Sequence, residues 1–155
     1  MAVEFVNHHV HSHFSTLDGL STPEEIIQRV VDLGQRSVSI TDHGTMSGIP
    51  QMYRAAKDAG IGFTPGCEIY FTPERSLRSP DRLGEKYYHM IMFAHNQQGY
   101  ENLSKIQTVS WDEGFYQKPR ADYETLEKYS EGLTVTTACL GGIVNQYLSV
   151  SYTHL

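Results

Sequence analysis

Short apolar runs alternate with segments of helical periodicity along most of this chain. Apolar residues at helical spacing predict helices over residues 23–33, 49–59 and 96–110. The first helix begins with a capping box, in which Thr22 and Glu25 flank Pro23, and Gly34 is a suitable stop. Runs rich in β-branched and aromatic residues predict strands over residues 5–10, 37–41, 61–71, 88–94 and 133–137.

Repeated strand-helix units favour an α/β fold with a parallel sheet. Metal-ligand residue types follow several of the predicted strands, which favours a (β/α) barrel whose site lies at the C-terminal ends of its strands. A doubly wound open sheet is the alternative, but histidine and aspartate follow the first strand here instead of a glycine-rich phosphate loop. Residues 72–86, which mix both signs of charge, are predicted to form an exposed and mobile loop.

The composition is that of an ordinary soluble domain. The chain has 155 residues, a net charge of −6 and 39% hydrophobic residues, enough for one sizeable core in one domain. No apolar run of about 18 residues predicts a membrane span. The first residues lack the pattern of a signal peptide, so a cytoplasmic location is expected. Cys67 and Cys139 do not form a Cys-x-x-Cys pair and are expected to be reduced.

The acidic balance also bears on nucleic-acid binding. Sequence-independent affinity for nucleic acid comes mostly from lysine and arginine, and this chain has 12 of these against 18 acidic residues. A broad phosphate-binding surface is therefore not expected within the segment. Any contact with nucleic acid is expected to be local, metal-mediated or supplied from elsewhere.

Imidazoles and carboxylates gather at the ends of the predicted strands. His9 and His11 are two residues apart on a strand, so both side chains can reach one metal ion. Asp18 follows in a polar turn, while His43 and Glu68 lie at or near the ends of later strands. Such nitrogen and oxygen ligands suit zinc, manganese or iron better than calcium. Two or three such ions could activate water against a phosphate ester.

Several neighbouring residues allow two interpretations. His8 and His13 flank the first pair and are expected to be structural rather than ligands. Asp42 is expected to orient the backbone or an imidazole rather than to bind metal. His95 ends the strand over residues 88–94, which is where the strand-end argument expects a ligand. Cys139 is either a small buried residue or a thiolate ligand, which would favour zinc.

Aromatic and basic residues in the second half of the chain are also ambiguous. Four aromatic residues could stack on nucleobases, although core packing is favoured, and two basic residues could contact phosphate or another domain instead of lying on a solvated surface. The aromatic residues are Trp111, Phe115, Tyr116 and Tyr123, and the basic residues are Lys118 and Arg120.

Four segments of the chain resemble the opening motifs of the PHP (polymerase and histidinol phosphatase) domain. They are His9-x-His11, Leu17-Asp18-Gly19, Thr41-Asp42-His43-Gly44 and Gly66-Cys67-Glu68. Further segments resemble the N-terminal part of bacterial or phage replicative DNA polymerase III alpha subunits. They include Tyr88-His89-Met90, Gly99-Tyr100-Glu101-Asn102-Leu103, Phe115-Tyr116-Gln117-Lys118-Pro119-Arg120 and Ala138-Cys139-Leu140-Gly141-Gly142.

The resemblance implies a distorted, PHP-type (β/α) barrel, with residues 1–149 as the N-terminal part of the domain. It implies a cluster of divalent ions, with zinc as the first choice and manganese or iron as alternatives. The implied ligands are His9, His11, Asp18, His43, Glu68, His89 and Cys139, with Asp18, His43 and Glu68 in the catalytic role. The family's closing Asp-x-His pair is absent from this sequence, so the barrel is expected to be incomplete.

The resemblance also implies a place in DNA replication. The parent protein would be a DNA-directed DNA polymerase, and its PHP domain a metal-dependent phosphoesterase or 3′→5′ exonuclease. The polymerase active site with its magnesium ions would lie outside this segment. DNA, the rest of the alpha subunit and replisome proteins such as the sliding clamp would be the partners, mostly through absent regions, with no membrane contact. A stand-alone PHP phosphatase for small phosphate esters and a non-catalytic, metal-stabilised scaffold are the alternatives.

Residues 150–155 fit neither the family pattern nor the sequence before them. This segment resembles a translated sequencing adapter. The native sequence is therefore expected to end near Ser149, and His154 is expected to have no function.

Overall fold

The computed structural model describes residues 5–81 and 84–152, with side chains described up to Ser149. The described part has helices and strands in the order α1 (Pro23–Asp32), β1 (Ser37–Ile40), α2 (Ile49–Ala59), β2 (Gly62–Phe71), β3 (Tyr88–Ala94), α3 (Gln97–Asp112), β4 (Arg120–Ala121), α4 (Tyr123–Tyr129), β5 (Leu133–Thr136) and α5 (Ile143–Tyr152).

Most predicted elements are confirmed within one or two residues, because their end signals are local. Thr22 accepts a hydrogen bond from the Glu25 backbone and Glu25 reaches back to the Thr22 backbone, which completes the capping box. Gly60 ends α2 in the left-handed conformation that glycine adopts without steric cost. The prediction omitted three elements, namely β4, α4 and α5.

The predicted first strand, over residues 5–10, is wrong in its extent. This segment is extended but joins β1 through a single bridge between Asn7 and Val38. Ser39 N donates to the Asn7 carbonyl at 3.1 Å in this bridge, and Thr41 N donates to the Val10 carbonyl at 2.8 Å farther along. The segment therefore lies beside β1 and carries its histidines to the end of that strand.

The sheet is mixed, whereas the strand-helix alternation predicted a parallel one. β1 and β4 pair with β2 in parallel, but β3 is antiparallel to both β2 and β5. The reason is that the described residues between β2 and β3 contain no helix, and a parallel pair usually needs a crossover connection with a helix, so the next strand returns antiparallel. The α/β class is confirmed, and the start of β3 lies beside the end of β2.

Two apolar clusters form the core. One lies between α1, α2 and β1, around Ile40 and Met52, which are 1% and 0% exposed. The other lies between β2, β3 and α3, around Ile69, Met92 and Leu103. Helices therefore cover the sheet and leave one end of the strands free for polar side chains.

Arg120 is fully buried, so its predicted role as a phosphate or inter-domain contact, or as solvated surface, is wrong. Its guanidinium donates to the carbonyl oxygens of Arg75 at 2.9 Å, Leu77 at 2.7 Å, Gly114 at 3.1 Å and Lys86 at 3.3 Å. A buried charge needs such partners, because an unpaired one is costly. Arg120 thus fixes the loop between β2 and β3.

That loop is exposed along most of its described length, as predicted. Arg75 fastens it to α4, since its guanidinium donates to Asp122 Oδ1 at 2.8 Å and to Glu124 Oε2 at 3.0 Å. Residues 82 and 83 lie outside the described residues, and the mobility of the loop stays a prediction.

The backbone of α5 continues to Tyr152, three residues into the segment that the sequence set apart as foreign. Residues 153–155 lie outside the described part, and the origin of this tail stays a prediction. Among the described residues, every helix is too short or too polar to cross a lipid bilayer.

Candidate metal centre

Glu68 is the hub of a polar cluster at the free end of the strands. Its side chain is only 1% exposed, and both carboxylate oxygens face imidazole nitrogens. Oε2 lies 2.8 Å from His9 Nε2 and 3.2 Å from His11 Nε2, and Oε1 lies 2.6 Å from His89 Nδ1. His43 Nδ1 is 3.8 Å from Oε2. One buried carboxylate therefore gathers four histidines.

Backbone pairing delivers these side chains. The chain after β1 continues beside β2, with Glu68 N donating to the Asp42 carbonyl at 3.1 Å and Gly44 N to the Glu68 carbonyl at 2.9 Å. This places His43 directly beside Glu68. On the other side, His89 N donates to the Gly141 carbonyl at 2.9 Å, which brings the turn that follows Cys139 to the start of β3.

Asp18 and Cys139 lie at the two edges of the cluster. Asp18 Oδ2 is 2.9 Å from His43 Nε2, and the His43 ring stacks on the His11 ring with centroids 4.3 Å apart. Cys139 Sγ lies 3.5 Å from His89 Nδ1 and 4.0 Å from Glu68 Oε1. The structure thus brings together all seven residues for which a ligand role was predicted.

Among the residues that the structure describes, three sets of three have ligand atoms close enough to hold an ion. They are His9, His11 and Glu68; His11, Asp18 and His43; and His43, Glu68 and His89. Neighbouring sets share His11, Glu68 or His43. An arrangement in which ligands are shared is what a multinuclear site requires, because bridging groups hold the ions a few ångströms apart.

Burial and contacts within the cluster shift the pKa values of its side chains. Burial by itself would raise the pKa of Glu68, but hydrogen bonds with His11 and His89 and the charge of His43 hold it well below the usual range. Burial works in the opposite sense on His11, yet the contact with Glu68 raises the net pKa of that imidazole. For His43, burial outweighs the pull of Glu68, so its pKa is lowered. An ionised carboxylate and a neutral imidazole are the forms that bind metals.

Two features of the donor set fit divalent ions. His43 Nδ1 is buried and has no hydrogen-bond partner among the described residues, although buried polar atoms are normally paired. His9 Nε2 and His11 Nε2 lie 3.1 Å apart beside the same Glu68 oxygen. A cation among these atoms would satisfy the unpaired nitrogen, and the nitrogen and oxygen donors match zinc, manganese or iron.

Asp42 supports the cluster from beneath. It is 2% exposed and accepts hydrogen bonds from Ser12 N at 2.6 Å, Ser12 Oγ at 2.8 Å and Ser15 Oγ at 3.2 Å. Ser15 Oγ in turn accepts from His43 N at 2.9 Å. Asp42 therefore orients the backbone around the candidate ligands, the arrangement that was predicted for it.

Comparison with known proteins agrees with this geometry. The sequence model of the PHP domain family matches residues 7–154. The chain belongs to the PHP domain family. It is 40% identical to the DNA polymerase III subunit alpha of Aquifex aeolicus, over 97% of this chain and 14% of the relative. It is 43% identical to that of Borreliella burgdorferi, over 90% of this chain and 12% of the relative.

The chain thus spans about an eighth of the length of these curated relatives. Among solved structures, a candidate metal-dependent phosphoesterase from Bifidobacterium adolescentis superposes with a TM-score of 0.51. The match covers 70% of this chain and 34% of that one at 24% identity. This similarity supports the PHP fold.

The other described histidines, His8, His13 and His95, lie outside the cluster. His95 Nδ1 is 3.2 Å from Thr134 Oγ1, so the strand-end argument that favoured His95 is wrong and the motif that selected His89 identified the clustered residue. His8 Nδ1 is 2.8 Å from Ser39 Oγ, and His13 stacks on Phe14. Neither belongs to the three candidate sets, in line with the structural roles expected for both.

A cavity of about 270 Å³ opens beside Asp18, His43 and His89. Tyr70, Tyr87 and Lys118 also line it. The prediction missed Tyr70, which follows Glu68 by two residues and so shares its face of β2. Gly44, at a φ of 61°, leaves the room that Tyr70 needs, because a Cβ there would lie 2.9 Å from that ring.

The expected core packing of the later aromatic residues is wrong for three of the four. Trp111, Phe115 and Tyr123 are 52%, 48% and 61% exposed, and Tyr116 is half-buried. Trp111 stacks on Phe115 and donates from Nε1 to the Gly44 carbonyl at 3.0 Å. These rings therefore contribute surface rather than core.

Proposed function

We propose that this PHP domain is the N-terminal part of a DNA polymerase III alpha subunit and hydrolyses the terminal phosphodiester of DNA as a metal-dependent 3′→5′ exonuclease. The similarity to two bacterial alpha subunits supports the parent protein. Because the chain spans about an eighth of those relatives, polymerisation, its magnesium ions and contacts with the sliding clamp belong to regions outside this segment. DNA and the rest of the subunit are its proposed partners, in the cytoplasm.

One observation carries the hydrolytic part of the proposal. Six side chains from five other parts of the chain gather around the buried Glu68 carboxylate, with Asp18 joined through His43, and such a concentration of ionisable groups is costly without a bound cation. We assign His9, His11, Asp18, His43, Glu68, His89 and Cys139 as ligands. Zinc is the proposed metal because a cysteine sulfur joins the imidazoles, with manganese and iron as alternatives.

Hydrolysis adds one water across the terminal phosphodiester. A new bond forms from the water oxygen to phosphorus, the bond from phosphorus to the 3′ oxygen of the preceding sugar breaks, and that oxygen takes up a proton. Divalent ions, when bound, lower the pKa of such a water and neutralise charge on the phosphoryl oxygens. Glu68 presents both oxygens in ionised form, while Asp18 holds the His43 ring in place through Nε2.

The test is hydrolysis of a 3′-labelled oligonucleotide by the full-length protein. We expect activity with metal, loss on chelation, and loss in Asp18→Asn and His43→Ala. Asp58→Asn, an exposed carboxylate on α2, is the matched control and should behave like the wild type. Unchanged hydrolysis in Asp18→Asn or His43→Ala would overturn the site assignment.

Two other outcomes would replace the proposal. Turnover of a small phosphomonoester without any activity on DNA would indicate a PHP phosphatase. No hydrolysis of either substrate, combined with a large loss of thermal stability on chelation, would indicate a metal-stabilised scaffold.

A further inference from the structure

Lys118 is the basic side chain that lines the cavity beside the metal cluster. The same cavity exposes Asp18, His43 and His89, which belong to the cluster. The Lys118 ammonium lies 5.2 Å from the centroid of the Tyr70 ring, and the structure records no ion pair between it and a carboxylate of the described residues. A positive charge is thus held beside the cluster without an anionic partner in the part of the chain that the structure describes.

Tyr70 couples Lys118 to the cluster. The Tyr70 ring stacks on His43 with centroids 5.9 Å apart and meets His89 edge-on at 5.5 Å. The electron-rich face of an aromatic ring attracts a cation, which fixes the ammonium on the cavity side.

The backbone before Lys118 is strained. Gln117 has a φ of 64°, in the left-handed region that residues with a side chain rarely adopt. A hydrogen bond from Tyr116 N to the Lys118 carbonyl at 3.0 Å closes the turn, and Lys86 Nζ donates to Gln117 Oε1 at 3.2 Å. Ala138, at a φ of 55°, precedes Cys139 in the same way. Such strain tends to lie at functional sites, where the side chain that it positions is used.

From this geometry we infer that Lys118 binds the phosphate of a nucleotide substrate and holds it against the metal cluster. The inference rests on the proposed function, because it names the substrate group that the same site receives. An ammonium provides a compact charge and three donors, which is how lysine binds phosphate.

The cavity wall indicates the rest of the substrate. Phe14, Leu17 and Tyr87 join Tyr70 around the opening, and Leu17 is 88% exposed. Apolar and aromatic side chains lining a cavity beside a phosphate subsite suit a nucleoside, whose base can pack on them, better than a free inorganic anion.

The test measures binding of thymidine monophosphate and inorganic phosphate to the metal-loaded, full-length protein by calorimetry. Lys118→Met removes the charge and keeps the length of the side chain, while Lys118→Arg keeps the charge. Lys105→Met is the matched control, because Lys105 also lies over an aromatic ring, Tyr129 at 5.8 Å, but does not line the cavity. Metal content is measured in every variant.

We expect Lys118→Met to weaken nucleotide binding about 10- to 100-fold, the range for a lost hydrogen bond to a charged group. Lys118→Arg should recover most of the affinity, Lys105→Met should match the wild type, and metal content should not change. Equal nucleotide affinity in Lys118→Met and wild type would overturn the role of Lys118. Inorganic phosphate bound as tightly as thymidine monophosphate would overturn the nucleoside assignment.

The two proposals fail separately. Hydrolysis of DNA with an unchanged KM in Lys118→Met would rule out the phosphate-binding role of Lys118 and leave the exonuclease activity supported. Nucleotide binding that depends on Lys118, without hydrolysis by the wild type, would support the phosphate subsite and rule out the exonuclease activity.

Discussion

The two ends of strand β3 each have a histidine, and only one of these belongs to the cluster. His89, near the start of the strand, lies 2.6 Å from Glu68, whereas His95, just after its end, contacts Thr134. The surroundings differ in the same way. The cavity near His89 is bordered by Asp18, His43 and Lys118, while a cavity of about 530 Å³ near His95 is lined mainly by apolar and aromatic residues, Ile49, Phe63 and Tyr100 among them.

The direction of the strand explains this difference. β1 and β2 run in parallel and end at the cluster, so the antiparallel β3 must begin there. Tyr70 pairs with His89 in the register, which places His89 two positions from Glu68 across the strands. The position of a residue along a strand therefore indicates a site only when the direction of that strand is known.

Removal of the Glu68 charge, at the centre of the cluster, should have the largest effect. Glu68→Gln keeps the shape of the side chain but removes the charge that three imidazoles contact. Because loss of a residue that merely supports a ligand already costs about 10- to 100-fold in metal affinity, we expect a loss of more than about 100-fold here. Titration of the apo protein with zinc measures it. Wild-type affinity in Glu68→Gln would contradict the role of Glu68 as the hub.

The two histidines of β3 form a matched pair of variants. We expect His89→Ala to lower metal affinity and DNA hydrolysis by about 100-fold, because it removes a nitrogen from the cluster. His95→Ala should leave both within about twofold of the wild type and change stability by no more than about 0.5 kcal/mol, as is usual for surface substitutions. Equal effects of the two variants would abolish the distinction between the two ends.

A smaller loss of zinc affinity is expected when Asp42, which supports the cluster, is changed. Asp42→Asn cannot accept every hydrogen bond that Ser12 and Ser15 donate, so the backbone beside His43 should shift. We expect a loss of about 10-fold in zinc affinity, with Asp58→Asn again as the control. Full zinc affinity in Asp42→Asn would show that the ligands are held without this support.

The smallest effect concerns pH in the metal-free protein. Glu68 has a lowered pKa in the folded state, so the unfolded chain binds more protons as the pH falls through the unfolded value of about 4.3. Stability from Glu68 is therefore complete above that value and is lost as the pH falls toward its folded pKa. Urea unfolding between pH 3 and 6 should show a steeper loss in wild type than in Glu68→Gln. Identical slopes would contradict the ion-pair account of Glu68.

Local signals predicted most of the fold. The capping box at Thr22 and the glycine stop after α2 fixed helix ends, because both act within a few residues. Strand direction depends on how distant segments pair, and periodicity carries no such information. β4 has only two residues, Arg120 and Ala121, and its burial results from the long-range contacts of the Arg120 guanidinium.

Some residues of the candidate site could also be predicted from the sequence, and others could not. The residues of the cluster were predictable because histidine and carboxylate motifs can be recognised in the sequence whatever the topology. Lys118 was ambiguous beside Arg120, since two basic residues in one segment look alike until one is found buried and the other lines a cavity. Tyr70 could have been found from the two-residue period of its strand.

Metal content tests the central claim most directly. The full-length protein is purified without added metal, together with His9→Ala/His11→Ala and a control, His8→Ala/His95→Ala, that removes two imidazoles outside the cluster. Mass spectrometry should find about two to three equivalents of zinc, manganese or iron in the wild type and the control, and a clear loss in His9→Ala/His11→Ala. No bound metal in any of the three proteins, even after incubation with zinc, would contradict the account.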